Sequence, residues 1–94
     1  MVFVVKVHPR VTKTALKQLK PAHRKKLAKF LEVAKYDPIP GGFDVKPLKN
    51  FEVEGYEGYR LRLGEYRLLY GINWKDKIVY VSRLEPRERA YKKR

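Results

Sequence analysis

YRLRLGEYRLLYGIN, Tyr59 to Asn73, is the stretch on which the fold turns. It reads as two β-strands around a tight turn. Gly64-Glu65 sits at the tip, and glycine at the first central position suits a type II′ hairpin, whose geometry needs a positive φ there. A two-residue loop sets Leu63 opposite Tyr66, Arg62 opposite Arg67 and Leu61 opposite Leu68. Side chains alternate between the two faces of a strand. One face therefore collects Tyr59, Leu61, Leu63, Tyr66, Leu68, Tyr70 and Ile72, and reads as a core face. The other collects Arg60, Arg62 and Arg67. Like charges directly across an antiparallel pair destabilise it, so stability alone gives little reason to set Arg62 against Arg67. Two readings of this arginine face stand side by side. It binds an anion such as phosphate, for which arginine offers a planar fork of donors and a permanent charge, or it is a solvated, screened sheet surface.

On the N-terminal side, Val2 to Val7 is a Val-rich run that reads as a buried strand. His8-Pro9 ends it and opens a helix. Val11, Ala15 and Leu19 recur at four-residue spacing with Leu16 beside them, and Pro21 opens a second helix. Leu27, Phe30, Leu31 and Ala34 give that helix its apolar stripe, so the pair reads as an αα-hairpin. Its other face holds Arg24, Lys25, Lys26 and Lys29. From Met1 to Lys35 there are ten basic residues against one acid, Glu32. A charge run on a helix is usually its wet face, and long-range steering of RNA would ask no more of it.

Tyr36 to Gly58 is punctuated by proline and glycine and carries Asp37, Asp44, Glu52, Glu54 and Glu57 against Lys46 and Lys49. It reads as a long connection, functional or mobile, with Leu48 and Phe51 as anchors to the core. Beyond the hairpin, Trp74 to Lys77 makes a second turn and Ile78 to Leu84 the last strand. The element order is then β-α-α-β-β-β. This predicts an α+β fold: an antiparallel sheet with a two-helix hairpin on one face and an open face opposite. The tail, EPRERAYKKR, sets Arg87, Arg89, Lys92, Lys93 and Arg94 around Tyr91, and a helical tail would bring Arg87 and Tyr91 to one side.

Ninety-four residues make one small domain, residues 1–94. There is no Cys, hence no disulfide framework, thiolate nucleophile or thiolate metal site, which fits a reducing cytoplasm. MVFVVKV is too short and too β-branched for a signal peptide, and no apolar run approaches a membrane span, so no membrane partner is expected. The charge is the dominant global fact: 23 Lys and Arg against 10 Asp and Glu, a net +13. Such a chain is expected to meet polyanions, nucleic acid first, with an acidic protein partner or an anionic membrane surface as alternatives.

Several chemistries are set aside. The chain has no P-loop, GxGxxG, HExxH or GxSxG motif. Its two histidines, His8 and His23, share no motif and read as surface residues. No spacing of acids suggests a metal site, and no cofactor is expected. What remains is a basic, aromatic surface. RNA is cleavable without metal because its own 2′-OH attacks the adjacent phosphorus, provided the protein positions the strand, stabilises charge and moves protons. Arg60, Arg62, Arg67 and Arg87 are candidates for the phosphate, and Tyr91 for stacking or proton transfer. Composition alone does not separate binding RNA from cutting it.

The residues also resemble a known family. Tyr59 to Tyr70, YRLRLGEYRLLY, is similar to the central hairpin of the RelE toxins, in the RelE/ParE superfamily of toxin–antitoxin systems. Pro86 to Tyr91, PRERAY, resembles the family's basic C-terminal motif ending in Tyr, and KPLK at 46–49 its basic segment. The resemblance spans the chain and is nearest to archaeal RelE proteins. It implies an mRNA interferase that enters the ribosomal A site, cuts mRNA by metal-independent 2′-OH attack, and is blocked by an acidic RelB-like antitoxin. It also implies roles. Arg67 matches the arginine that stabilises the transition state. Arg60 and Arg62 stand where bacterial members carry two lysines, and Arg87 and Tyr91 match the functional C-terminal pair. Lys46, Leu48, Lys49, Arg89, Lys92 and Lys93 are expected to contact RNA. Arginine effectively cannot lose a proton, so proton transfer would fall to Tyr91, Lys46 or Lys49, or orientation and charge would carry the reaction. Two other readings remain on the same fold: a ParE-like gyrase inhibitor and a non-enzymatic RNA- or ribosome-binding protein.

Overall fold

The computed structural model describes residues 2–90. In chain order the elements are β1 (Val4–Val7), α1 (Pro9–Gln18), α2 (Pro21–Ala34), β2 (Val45–Val53), β3 (Tyr56–Leu63), β4 (Tyr66–Asn73) and β5 (Ile78–Pro86). The five strands form one sheet in the order β1-β5-β4-β3-β2. The α+β class is as expected, with two differences. The sheet is mixed rather than antiparallel throughout, because β1 runs parallel to β5. It also holds a fifth strand, β2, inside the stretch read as a long connection. Pro47 and the acids disguise it. Proline is tolerated on an edge strand, and β2 is the edge beside β3.

The central hairpin has the expected register: Leu63 faces Tyr66, Arg62 faces Arg67 and Leu61 faces Leu68. Gly64 takes φ +62 and Glu65 has no positive φ, as a type II′ turn requires. Of the predicted core face, Tyr59, Leu61, Leu63, Leu68, Tyr70 and Ile72 are buried, and Tyr66 packs at their margin. Tyr70 has no exposed surface. Its ring meets Phe30 at 5.2 Å and Tyr59 at 5.7 Å, and its hydroxyl donates to the Pro38 carbonyl at 2.7 Å. Burial pushes the Tyr70 phenol well above its ordinary pKa.

Both helices lay their apolar stripes on this face. Val11 and Ala15 of α1, Leu19 at its C-cap, and Leu27, Phe30 and Ala34 of α2 join the core. Pro9 opens α1, and His8 caps it by accepting the Arg10 N–H on Nδ1 at 3.1 Å. Leu16 departs from the expectation: it is 68% exposed, because the stripe of Val11, Ala15 and Leu19 turns it toward solvent. Among the described residues no helix is long and apolar enough to cross a membrane.

The opposite face of the sheet is not open. Leu69 is completely buried there, in a small second cluster with Val53, Ala90, Leu48 and Phe51. Leu48 and Phe51 are thus anchors, but on this side. The end of β2 arches over the sheet, with a break in its register between Leu48 and Glu52 and Asn50 at φ +57. Gly58 and Gly71 make that crossing possible. They are cross-strand partners. A Cβ on Gly58 would lie 2.7 Å from the Phe51 carbonyl oxygen, and one on Gly71 would run into the carbonyl oxygen of Val53. The pair forms a flat window that lets backbone pass over backbone.

A second irregularity lies in β5. Leu69 pairs with Arg83 and Tyr70 with Val81, so Ser82 is the extra residue of a bulge. Arg10 fills the gap, donating from Nε to the Ser82 carbonyl at 2.8 Å and from Nη2 to its hydroxyl at 3.2 Å. The bulge shifts the phase of the strand. Val79, Val81 and Leu84 all reach the core, although the last two are three residues apart.

Candidate nucleic-acid interface

Strand alternation puts Arg60, Arg62 and Arg67 on the side of β3 and β4 away from the helices. Two cross-strand rows define the surface. One runs Lys46, Arg60, Leu69, Arg83 across β2 to β5; the other runs Arg62, Arg67, Glu85 across β3 to β5. Basic side chains therefore flank the buried Leu69 on both sides.

The three arginines differ in setting. Arg67 is only 7% exposed, and its Nη1 donates to the carbonyls of Gly64 at 2.8 Å and Tyr66 at 3.0 Å. These bonds fix the guanidinium at the hairpin tip and explain how the Arg62–Arg67 opposition is tolerated: one head is tied to carbonyl oxygens while Arg62 stays exposed. Arg60 is half-buried, and its Nη1 donates to the Asp44 carbonyl at 2.8 Å and to Asp44 Oδ1 at 2.9 Å. The hydrogen bond from Arg60 holds the Asp44 carboxyl below the ordinary carboxylate range. Partial desolvation opposes this, and the charges of Arg60, Lys46 and Arg62 reinforce it. The backbone N–H of Arg62 donates to the same Asp44 carbonyl at 3.0 Å.

The chain after β5 is drawn to the same tip. The Arg87 N–H donates to the Glu65 carbonyl at 2.8 Å, and a turn follows in which the Arg89 N–H reaches the Pro86 carbonyl at 2.9 Å. Arg87 and Arg89 are exposed, while Ala90 is buried against Leu69. Residues 87–90 form turns rather than a helix. Tyr91, Lys92 and Lys93, the other tail candidates, lie outside the described residues. Lys46 and Lys49 are exposed on β2, whereas Leu48 packs beneath, in the second cluster. Beside the tip, a groove of ≈ 530 Å³ runs between α1 and the end of β5, with Arg10, Lys13, Lys17, Tyr66, Glu85 and Arg89 among its lining.

Sequence reasoning missed Asp44 and Arg83. Asp44 was legible as an acid two residues before Lys46, opposite basic β3, once β2 is recognised as a strand. Arg83 was hidden by the bulge. Strict alternation from Val79 and Val81 assigns it to the core face, and the extra residue at Ser82 turns it to the arginine side. The histidines play other parts. His8 is a helix cap, and the His23 ring lies against Gly64 where a Cβ would otherwise sit. Among the described residues no cluster of three or more His, Asp or Glu is placed to hold a metal ion.

No protein-family model matches the chain. RelE1 of Methanocaldococcus jannaschii, a protein provisionally named as a toxin, is 41% identical over 93 residues, covering 98% of this chain and 98% of the relative. The chain belongs to the RelE toxin family. The crystal structure of the RelE–RelB complex from Pyrococcus horikoshii OT3 matches with a TM-score of 0.74 and 42% identity, over 96% of this chain and 100% of that one. The RelB–RelE complex from Methanococcus jannaschii matches with a TM-score of 0.70 over 90% of this chain and 93% of that one; at 21% identity it speaks for the RelE fold alone. The five-stranded mixed sheet with two helices is thus the RelE architecture, and the arginine face is a surface of that fold.

Proposed function

We propose that this RelE-family chain is the toxin of a two-component toxin–antitoxin system and acts as a ribosome-dependent mRNA interferase, cutting mRNA in the A site. One observation carries the reading: Arg60, Arg62 and Arg67 share one sheet face, and a backbone hydrogen bond pins Arg87 beside the hairpin tip. That arrangement offers several permanent cations to one stretch of phosphodiester.

The reaction it suits is internal transesterification. The 2′-oxygen forms a bond to the adjacent phosphorus, the bond from phosphorus to the 5′-oxygen breaks, one proton leaves the 2′-OH and one reaches the 5′-oxygen. Extra negative charge develops on the non-bridging oxygens. Donors already aimed at that charge stabilise it without reorganising, and Arg67, fixed by two carbonyls, is the best-held donor on the face. Arg62 and Arg60 grip neighbouring phosphates, with Arg87, Arg89, Lys46 and Lys49 at the margin. Since the arginines cannot act as bases, Tyr91, Lys46 or Lys49 is the group that moves protons. The groove along α1 extends the basic surface toward ribosomal RNA.

RelE of Pyrococcus horikoshii is seen with RelB. For this chain we assign a RelB-like acidic antitoxin as the partner, its carboxylates meeting the same cations. The test compares wild type with Arg67→Ala on translated mRNA with ribosomes present. Loss of one preorganised donor to the transition state is expected to cost about 10²–10³ in cleavage rate; equal cleavage would remove Arg67 from the mechanism. One observation favours a second reading, a non-enzymatic RNA binder: Nη1 of both Arg60 and Arg67 is already engaged within the chain. It predicts salt-sensitive binding with no strand scission.

A further inference from the structure

Asp44 sets a carboxylate among the cations at the β2 side of the arginine face. Arg60 donates from Nη1 to its carbonyl and to its Oδ1, the Arg62 backbone holds the same carbonyl, and Lys46 lies directly across from Arg60. Lys46 and Arg60, opposed on neighbouring strands, would repel each other without a counter-ion. Asp44 supplies one. Five of the chain's ten acids lie between residues 36 and 58, and Asp44 is paired with Arg60. A carboxylate and a phosphodiester present the same thing to a guanidinium, two oxygens sharing one negative charge; here a single nitrogen, Nη1, meets one of the carboxylate oxygens. The Asp44 side chain is 42% exposed and that of Arg60 12%, so the carboxylate is the partner that opens to water. Ion pairs that open to water are weak and exchangeable.

We propose that Asp44 is an internal stand-in for RNA phosphate: its carboxylate occupies an anion subsite bounded by Lys46, Arg60 and Arg62, and an incoming phosphodiester displaces it. The proposal rests on the reading of this face as an RNA interface. It adds where one phosphate sits and what holds that place beforehand. The stand-in keeps Arg60 ordered and its charge compensated while the face is empty. It also makes RNA compete for the subsite, so Asp44 sets the affinity threshold of the face.

The test measures binding of a short single-stranded oligouridylate to the full chain by fluorescence anisotropy, across a salt series. The proteins are wild type, Asp44→Asn, Arg60→Ala, the double variant, and Asp37→Asn as a control for the same change in net charge. Asparagine keeps an oxygen for Arg60 but not the charge; Asp44→Ser serves as a second variant should Asp44→Asn lose its fold. Relief of competition by a partly exposed ion pair is expected to tighten binding about two- to fivefold. Because the phosphodiester enters the same subsite in both proteins, the slope of log affinity against log salt is expected to change by less than the ~0.7 of a whole phosphate contact. Asp37→Asn is expected to fall short of this gain, and in the Arg60→Ala background Asp44→Asn is expected to give no more than that control. An equal gain with and without Arg60, or no gain in the wild-type background, overturns the stand-in while leaving RNA binding intact. Absence of binding by every variant overturns the RNA reading and the stand-in with it. Binding by Asp44→Asn where wild type shows none supports both.

Discussion

Tyr70 joins the fold to pH. Its hydroxyl is buried and donates to the Pro38 carbonyl, and desolvation raises its pKa above the ordinary value near 10.0. A group whose pKa is raised in the folded state contributes stability that is complete below the unfolded value and is lost as pH climbs beyond it. Tyr59 adds to the same trend, raised by burial and by its hydrogen bond to Glu57. Stability is therefore expected to fall above about pH 10 as the unfolded chain ionises these phenols and the folded one does not. Tyr70→Phe removes a hydrogen bond and leaves a buried carbonyl, costing about 1–2 kcal/mol near neutrality. It also removes part of the alkaline loss. Urea midpoints measured from neutral to alkaline pH should show the gap between variant and wild type narrowing above pH 10; a constant gap would refute the linkage. Asp44 works in the opposite sense. Its lowered pKa gives a contribution present above the unfolded value near 3.8 and lost as pH falls through the lower folded one.

Strand-level features explain what the sequence made legible and what it hid. The hairpin was readable because three signals agreed: glycine at the turn, strict alternation, and a two-residue loop that leaves no freedom in register. β2 was hidden because Pro47 and a broken alternation resemble a loop, and because an edge strand tolerates both. Arg83 was hidden because one extra residue, Ser82, reverses the phase of everything after it. The arginine trio was legible as a face. Its inequality was not, since the carbonyls that tie down Arg67 and the carboxylate that meets Arg60 come from backbone geometry and from the unrecognised strand. The glycine window belongs to this scale as well. Gly71→Ala would force a methyl group against the Val53 carbonyl oxygen, which backbone cannot yield cheaply, and overpacking of this kind costs about 1–3 kcal/mol. Gly41→Ala, where nothing lies within 4 Å, is the matched control and should stay within about 0.5 kcal/mol of wild type. Equal denaturation midpoints for the two variants would mean that the crossing of β2 does not depend on the window.

Across the whole molecule, the helices and the core face hold the larger buried cluster, while the reverse face carries the candidate site beside a smaller one covered by the end of β2. A net charge of +13 attracts polyanions at long range, and on the proposed reading the arranged arginines would select the orientation at contact. Closure of the sheet has its own logic. β1, the first strand made, pairs in parallel with β5, the last: Val4 aligns with Ile78 and Val7 with Val81. The helices and the β2–β5 meander can gather as they emerge from synthesis, but the opening strand has no ladder to join until the final one appears. A nascent chain of this kind is expected to stay open to protease when translation is arrested before Ile78, and to gain resistance once residues 78–86 are free. Early resistance would show that another strand shelters β1 in the interim. The protein we propose to act on translating ribosomes would then complete its sheet only after β5 has left the ribosome that builds it.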